Sequence, residues 1–248
     1  MKTKLTLSLV FLIQLNIYSQ FGAQQIITTD IDAPRSVYAI DIDGDGDVDI
    51  LSGSASDGKV AWYENTDGQG SFGPQRIITT NTIFTEFVYS SDIDGDGDMD
   101  VLSASKNDNK IAWYENIDGL GNFGTQQIIT SNANSARGVH SADLDGDGDL
   151  DVLSASALDD TIAWYENTDG QGNFGAQQII STDADEAISV YPSDIDNDGD
   201  IDVLSASTRD DKIAWYENTD GLGNFSSQKI ITTNADGAKY VFAVDIDG

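Results

Sequence analysis

Nine residues, Asp41-Ile42-Asp43-Gly44-Asp45-Gly46-Asp47-Val48-Asp49, gather five carboxylates into one loop. Aspartates at relative positions 1, 3, 5 and 9, a glycine at 6 for a sharp turn and a backbone carbonyl at 7 offer hard oxygen ligands that converge on one point. Calcium loops are built this way. Ser52 stands where an EF-hand carries its twelfth-position glutamate, and a strand-like run follows, so the expectation is a calcium site within a β-hairpin. The string returns as Asp92, Asp94, Asp96, Asp98 and Asp100, as Asp143, Asp145, Asp147, Asp149 and Asp151, and as Asp194, Asp196, Asp198, Asp200 and Asp202. Asn197 replaces the first glycine of the last loop, a mild change because asparagine tolerates the left-handed backbone. Like charges about 4 Å apart repel by about 1 kcal/mol in water and about 4 at an effective dielectric of 20. Five aspartates kept in register in four loops therefore call for a cation, about one Ca2+ per complete repeat. Magnesium fits less well, because it demands a smaller octahedral shell that keeps water.

The elements that must hold these loops repeat with them. Trp62, Trp113, Trp164 and Trp215 each sit in an Ala-Trp-Tyr-Glu-Asn string and are 51 residues apart, without insertions. Within a unit, residues 36–41 (SVYAID), 48–55 (VDILSGSA), 59–65 (KVAWYEN) and 72–79 (FGPQRIIT) read as strands broken by Gly and Asp turns. Four short antiparallel strands per unit describe a blade of an all-β propeller. The complete blades are expected at residues 36–79, 87–130, 138–181 and 189–232. No Gly-Gly pair and no Trp-Asp dipeptide supports the kelch or WD40 alternatives. The Trp-Tyr pair could stack sugars or fill the inter-blade core, and its identical recurrence favours the core.

Composition and the amino terminus restrict the possible partners and compartment. A formal net charge of −31 argues against nucleic acid and anionic membranes as partners. The absence of cysteine excludes disulfides, a cysteine nucleophile and a thiolate zinc site. Residues 1–19 read as a signal peptide, with a basic start at Lys2 and Lys4, an apolar stretch over 5–15 and cleavage before Gln20. The apolar stretch is roughly half of a bilayer span, so no membrane insertion is expected after cleavage, and the mature domain is residues 20–248. Of the 43 acidic residues, 22 belong to the four loops and a broken fifth at Asp245 and Asp247, so the charge is largely an inventory of expected metal ligands.

The Asp-x-Asp-Gly-Asp-Gly-x-x-Asp loop and the pairs Phe21-Gly22, Phe72-Gly73, Phe123-Gly124 and Phe174-Gly175 resemble the FG-GAP, or VCBS-type, repeat family of integrin α-chains and secreted bacterial proteins. Phe225 departs from the pattern, being followed by Ser226. The resemblance implies a secreted or cell-surface β-propeller used for adhesion or ligand binding, with calcium structural. An extracellular protein or glycan is then the expected partner. A lectin propeller and the non-catalytic part of a larger secreted enzyme are the alternatives.

Residues 20–29 match only an outer strand and 240–248 only a partial blade, so a truncated ring is expected. The metal loops and the Asp-Gly-x-Gly-x-Phe loops barely vary between units and should share one face of the propeller. Residues 30–35, 81–86, 132–137 and 183–188 share little beyond length, as do the turns at 57–58, 107–109, 158–160 and 209–211. They belong to the opposite face, where a partner is expected to bind. His140 occupies the position of Tyr38, Tyr89 and Tyr191 and is expected to substitute for an aromatic rather than to act as a base. No catalytic residue is expected.

Overall fold

The structure, a computed structural model, describes residues 24–246. The expected signal peptide at 1–19 and the start of the expected outer strand lie outside the described residues. Every described element is a β-strand. Blade 1 comprises β1 (Pro34–Ile40), β2 (Asp49–Ser54), β3 (Val60–Tyr63) and β4 (Arg76–Thr79). Blade 2 comprises β5 (Thr85–Ser91), β6 (Asp100–Ser105), β7 (Lys110–Tyr114) and β8 (Gln127–Thr130). Blade 3 comprises β9 (Ala136–Ala142), β10 (Asp151–Ser156), β11 (Thr161–Tyr165) and β12 (Gln178–Ser181). Blade 4 comprises β13 (Ala187–Ser193), β14 (Asp202–Ser207), β15 (Lys212–Tyr216) and β16 (Lys229–Thr232). Each blade is one antiparallel sheet in chain order, and no strand pairing among the described residues joins one blade to another.

Blades are held to each other by side chains. One core places Leu51, Val60 and Trp62 of blade 1 against Val88, Val101, Ala112 and Tyr114 of blade 2. The same layers recur between blades 2 and 3 and between blades 3 and 4. Alternate residues of a strand point to opposite faces, so the tryptophan of Ala-Trp-Tyr packs toward the following blade and the tyrosine toward the preceding one. The pair is core, as expected, and its buried aromatic area is a large part of what fixes one blade on the next. Val37 shows what happens without a preceding blade among the described residues: it is 68% exposed, while Val88, Val139 and Val190 are 0% exposed.

The outer elements differ from expectation. Residues 24–29 and 240–246 form no strand. A strand is defined by its ladder, and neither segment has a neighbouring edge to pair with among the described residues. The fourth strand of blade 1 is also shorter than the run 72–79, beginning at Arg76, with Phe72 held by an isolated bridge to Asn65.

The turns on the variable face vary in sequence but share one left-handed backbone position. The side-chain Oδ1 atoms of Asn109, Asp160 and Asp211 accept the backbone N–H groups of Ser135, Glu186 and Gly237 at 2.8, 2.9 and 3.0 Å, tying each hairpin to the connection leading into the next blade. At the equivalent place in blade 1 the Gly58 carbonyl accepts the Thr82 hydroxyl at 2.8 Å. Gly58, Asn109, Asp160 and Asp211 all have φ between 55° and 59°. Gly, Asn and Asp are the residues that tolerate this left-handed conformation.

The junction between blades yields a matched test. A methyl group on Gly121, Gly172 or Gly223 would overlap the ring of the preceding blade's tryptophan, whereas the equivalent Gly70 faces open space. All four have positive φ. Gly172→Ala is therefore expected to destabilise the protein by about 1–3 kcal/mol more than Gly70→Ala, read from urea unfolding midpoints. Equal losses would mean that the ring and loop do not pack as described.

Candidate metal centre

Each acidic loop joins the first strand of a blade to the second and is folded by its own carboxylates. Asp41 takes the backbone N–H of Gly44 on Oδ1 (2.8 Å) and that of Gly46 on Oδ2 (2.9 Å). The aspartates at position 5, Asp45, Asp96, Asp147 and Asp198, each accept the N–H two residues on at 2.9 Å. Gly44 and Gly46 have φ of 71° and 93°, which the sharp turn requires. Asn197 adopts φ 62° in place of a glycine, as its tolerance of that region leads one to expect.

The loop ends on a buried aspartate. Asp49, Asp100, Asp151 and Asp202 are at most 1% exposed. Asp49 Oδ2 accepts the N–H of Ile42 at 3.0 Å and Oδ1 that of Asn65 at 2.8 Å, and the other three repeat both bonds at 2.8–3.0 Å. One carboxylate thus joins the start of the loop to the end of the third strand.

Three carboxylates converge in every blade, each with a ligand atom within 4.8 Å of the others. They are Asp41, Asp43 and Asp49; Asp92, Asp94 and Asp96; Asp143, Asp145 and Asp151; and Asp194, Asp196 and Asp202. Asp47, Asp98, Asp149 and Asp200 lie outside these groups, their carboxylates packed on Gly68, Gly119, Gly170 and Gly221. Metal loop and Asp-Gly turn therefore share one end of the blade. Burial, reinforced by neighbouring carboxylates, raises Asp43, Asp94 and Asp145 above the ordinary range. Burial pushes Asp100 and Asp151 up to about 7, in spite of the two backbone donors each receives. Asp43 Oδ1 and Asp92 Oδ1 are buried without a hydrogen-bond partner. Crowded, desolvated oxygens with unused lone pairs fit a hard cation.

Sequence reasoning missed the asparagine of Ala-Trp-Tyr-Glu-Asn. Asn116, Asn167 and Asn218 donate from Nδ2 to the carbonyls of Ile42, Ile93 and Leu144, in the metal loop of the preceding blade, at 2.8–2.9 Å. Each also donates to the carbonyl preceding the buried aspartate of its own blade, at 3.3 Å. Asn65 reaches only its own loop, at Val48 O (3.2 Å). The repetition of this asparagine was visible, but its reach across blades needed the spatial arrangement.

The FG-GAP-like repeat family matches at residues 41–103, 92–154, 143–205 and 194–248. No curated protein is a detectable relative. Among solved structures, the chain is similar to virginiamycin B lyase from Staphylococcus aureus, at 12% identity and TM-score 0.56, over 85% of this chain and 60% of that one. It is similar to a putative 6-phosphogluconolactonase from Bacteroides uniformis at 13% identity and TM-score 0.55, over 83% and 56%. It is also similar to an exo-β-1,3-galactanase from Phanerochaete chrysosporium at 11% identity and TM-score 0.51, over 81% and 50%. The chain thus spans 50–60% of these structures' lengths, and such identities speak to the fold alone.

The asparagine contacts differ between blades in a way that can be measured. Asn116→Ala strands the Ile42 carbonyl, whereas Asn65→Ala breaks no contact to another blade. The first is expected to cost about 1–3 kcal/mol more than the second in denaturant unfolding. Equal costs would show that the bond across the blades contributes nothing.

Proposed function

The chain belongs to the FG-GAP-like repeat family, and on that basis we propose that it acts outside the cell as a calcium-stabilised β-propeller that binds a partner, without catalysis of its own. The observation that carries this reading is the acidic cluster repeated in every blade, with a buried, unpartnered carboxylate oxygen in blades 1 and 2. Its donors are all oxygen, and calcium accepts irregular oxygen shells where magnesium demands a small octahedron. Calcium would supply the positive charge the cluster lacks, and the carboxylates would position it between the loop and the buried aspartate. Acidic groups that recur in all four blades and are engaged in holding a cation make poor candidates for a single catalytic pair. No helix among the described residues is long and apolar enough to cross a membrane.

A cation present at about 100 times its dissociation constant adds about 2.7 kcal/mol of stability per site. The melting temperature is therefore expected to rise in calcium relative to EDTA, and pH should modulate the gain. In the metal-free protein Asp100 and Asp151, with folded values near 7, hold protons more tightly than the unfolded chain does. Their contribution to metal-free stability is full at low pH and is lost as pH rises from about 4 through 7. A calcium ion held by Asp151, or beside Asp100 in the neighbouring cluster, would favour their ionised forms, so the gap between calcium and EDTA should widen from pH 5 to pH 8. The same midpoint with and without calcium at both values would refute the proposal.

Adhesion or ligand binding is placed on the face opposite the metal loops, where a rigid scaffold presents connections that differ from blade to blade. An array of glycans and matrix proteins, probed with the calcium-loaded chain, tests this. Replacing residues 81–86 by the sequence of 132–137 is expected to reduce binding, and unchanged binding would move the interface elsewhere.

A further inference from the structure

The mouth of the propeller axis on the variable face carries a cavity of about 390 Å³. Its rim comes from the last residue of each variable connection, at the 51-residue spacing: Arg35, Glu86, Arg137, Ile188 and Lys239. Three of the chain's 12 basic residues meet here, in a protein of net charge −31. Arg137 donates to Glu86 at 2.9 Å and so neutralises the one acidic group of the lining. Arg35 lies over the Phe84 ring at 5.0 Å, and neither Arg35 nor Lys239 has a carboxylate partner among the described residues. The rim therefore presents unneutralised positive charge.

The interior is aromatic. Tyr89 lies 4.5 Å from the ring of His140 and Phe87 lies 5.4 Å from it, while Tyr240 faces Phe87 at 6.3 Å with nearly parallel planes. His140 is 4% exposed and lines the cavity, and its Nε2 has no hydrogen-bond partner. Arg137 Nε, also in the lining, is likewise buried and unpartnered. Flat rings that can stack, unsatisfied polar atoms and a cationic rim form one complementary set. The ligand that matches it has a flat apolar face, hydroxyl groups at its edge and a negative charge. The residues that build this set are among those that differ most between otherwise near-identical repeats, which separates the cavity from the repeated framework.

We propose that this axial cavity binds the ring of an acidic sugar, a hexuronate, by stacking it on the aromatic interior and pairing its carboxylate with Arg35 and Lys239. The proposal rests on the reading of the chain as an extracellular binding module and names the ligand class of its variable face. A galacto-configured uronate is the suitable probe, because its ring hydrogens form an apolar patch on one side.

His140 is the only histidine of the chain, so its imidazole C–H signals in a proton–carbon correlation spectrum report on the cavity without ambiguity. Galacturonate added to the labelled, calcium-loaded chain is expected to move those signals saturably, with half-saturation at about 1 mM or below. Galactose, which keeps the ring and lacks the charge, and glutamate, which keeps a carboxylate and lacks the ring, should each bind at least about tenfold more weakly. Arg35→Ala combined with Lys239→Ala should weaken galacturonate at least about tenfold while the amide spectrum stays that of the folded chain. If galacturonate leaves His140 unmoved up to about 10 mM, about tenfold above the expected half-saturation, the site is refuted. Glutamate binding as well as galacturonate would refute the sugar assignment. A melting scan on the same sample separates the two proposals. A null titration in a chain that calcium still stabilises overturns the cavity alone, and a missing calcium gain overturns the calcium reading whatever the titration shows.

Discussion

A buried carboxylate with two backbone donors organises every blade. Asp49 and its counterparts reach from the beginning of the second strand to the first residues of the metal loop and to the asparagine two residues beyond the third strand. Removing such a group from water is costly, and two N–H donors repay only part of that cost, which is why Asp100 and Asp151 remain protonatable near neutrality. The loop then brings further acidic groups to the same place. Charge at this point is stabilised either by protons or by a cation, and the geometry of the first three strands follows from holding it there.

Packing between blades depends on the same construction. The asparagine held by the buried aspartate donates to the preceding metal loop, and the tryptophan two positions before the conserved-in-repeat Glu-Asn pair lies beneath the glycine of the following turn. Trp62, Trp113 and Trp164 are nearly inaccessible, while Trp215 is only half-buried. A blade is therefore a sheet with two adhesive faces rather than an independent unit, in keeping with stability that accumulates from neighbour to neighbour in repeat architectures. The two ends of the blades also differ electrostatically. Carboxylates crowd one end, and the axis at the other end gathers Arg35, Arg137 and Lys239.

Much of this was legible in the residues. The 51-residue period, strand alternation and the Asp-Gly punctuation led to four antiparallel blades with a loop between the first two strands, because those features act locally. The role of each aspartate was less legible. Asp47 and Asp43 have the same side chain and both face the loop's end of the blade, yet the former packs on Gly68 and the latter joins the cluster, a choice made by the turn of another hairpin. Likewise the turns ending at Asn109, Asp160 and Asp211 share little in sequence beyond length, but these three residues share a backbone conformation and a bond to the next connection. The strand expected at 20–29 failed, over its described part, for want of a ladder partner, which local preference does not register.

The asparagine bond also has a direction. Ile42, Ile93 and Leu144 each receive their donor from a residue 74 positions further along, in Asn116, Asn167 and Asn218. On a ribosome the chain emerges from its amino terminus, so each acidic loop is made well before the side chain that braces it. Blades 1, 2 and 3 would each pass through a period in which the sheet can form while one carbonyl of its loop still awaits a partner. Where blades form in chain order, each new blade would finish the one made before it.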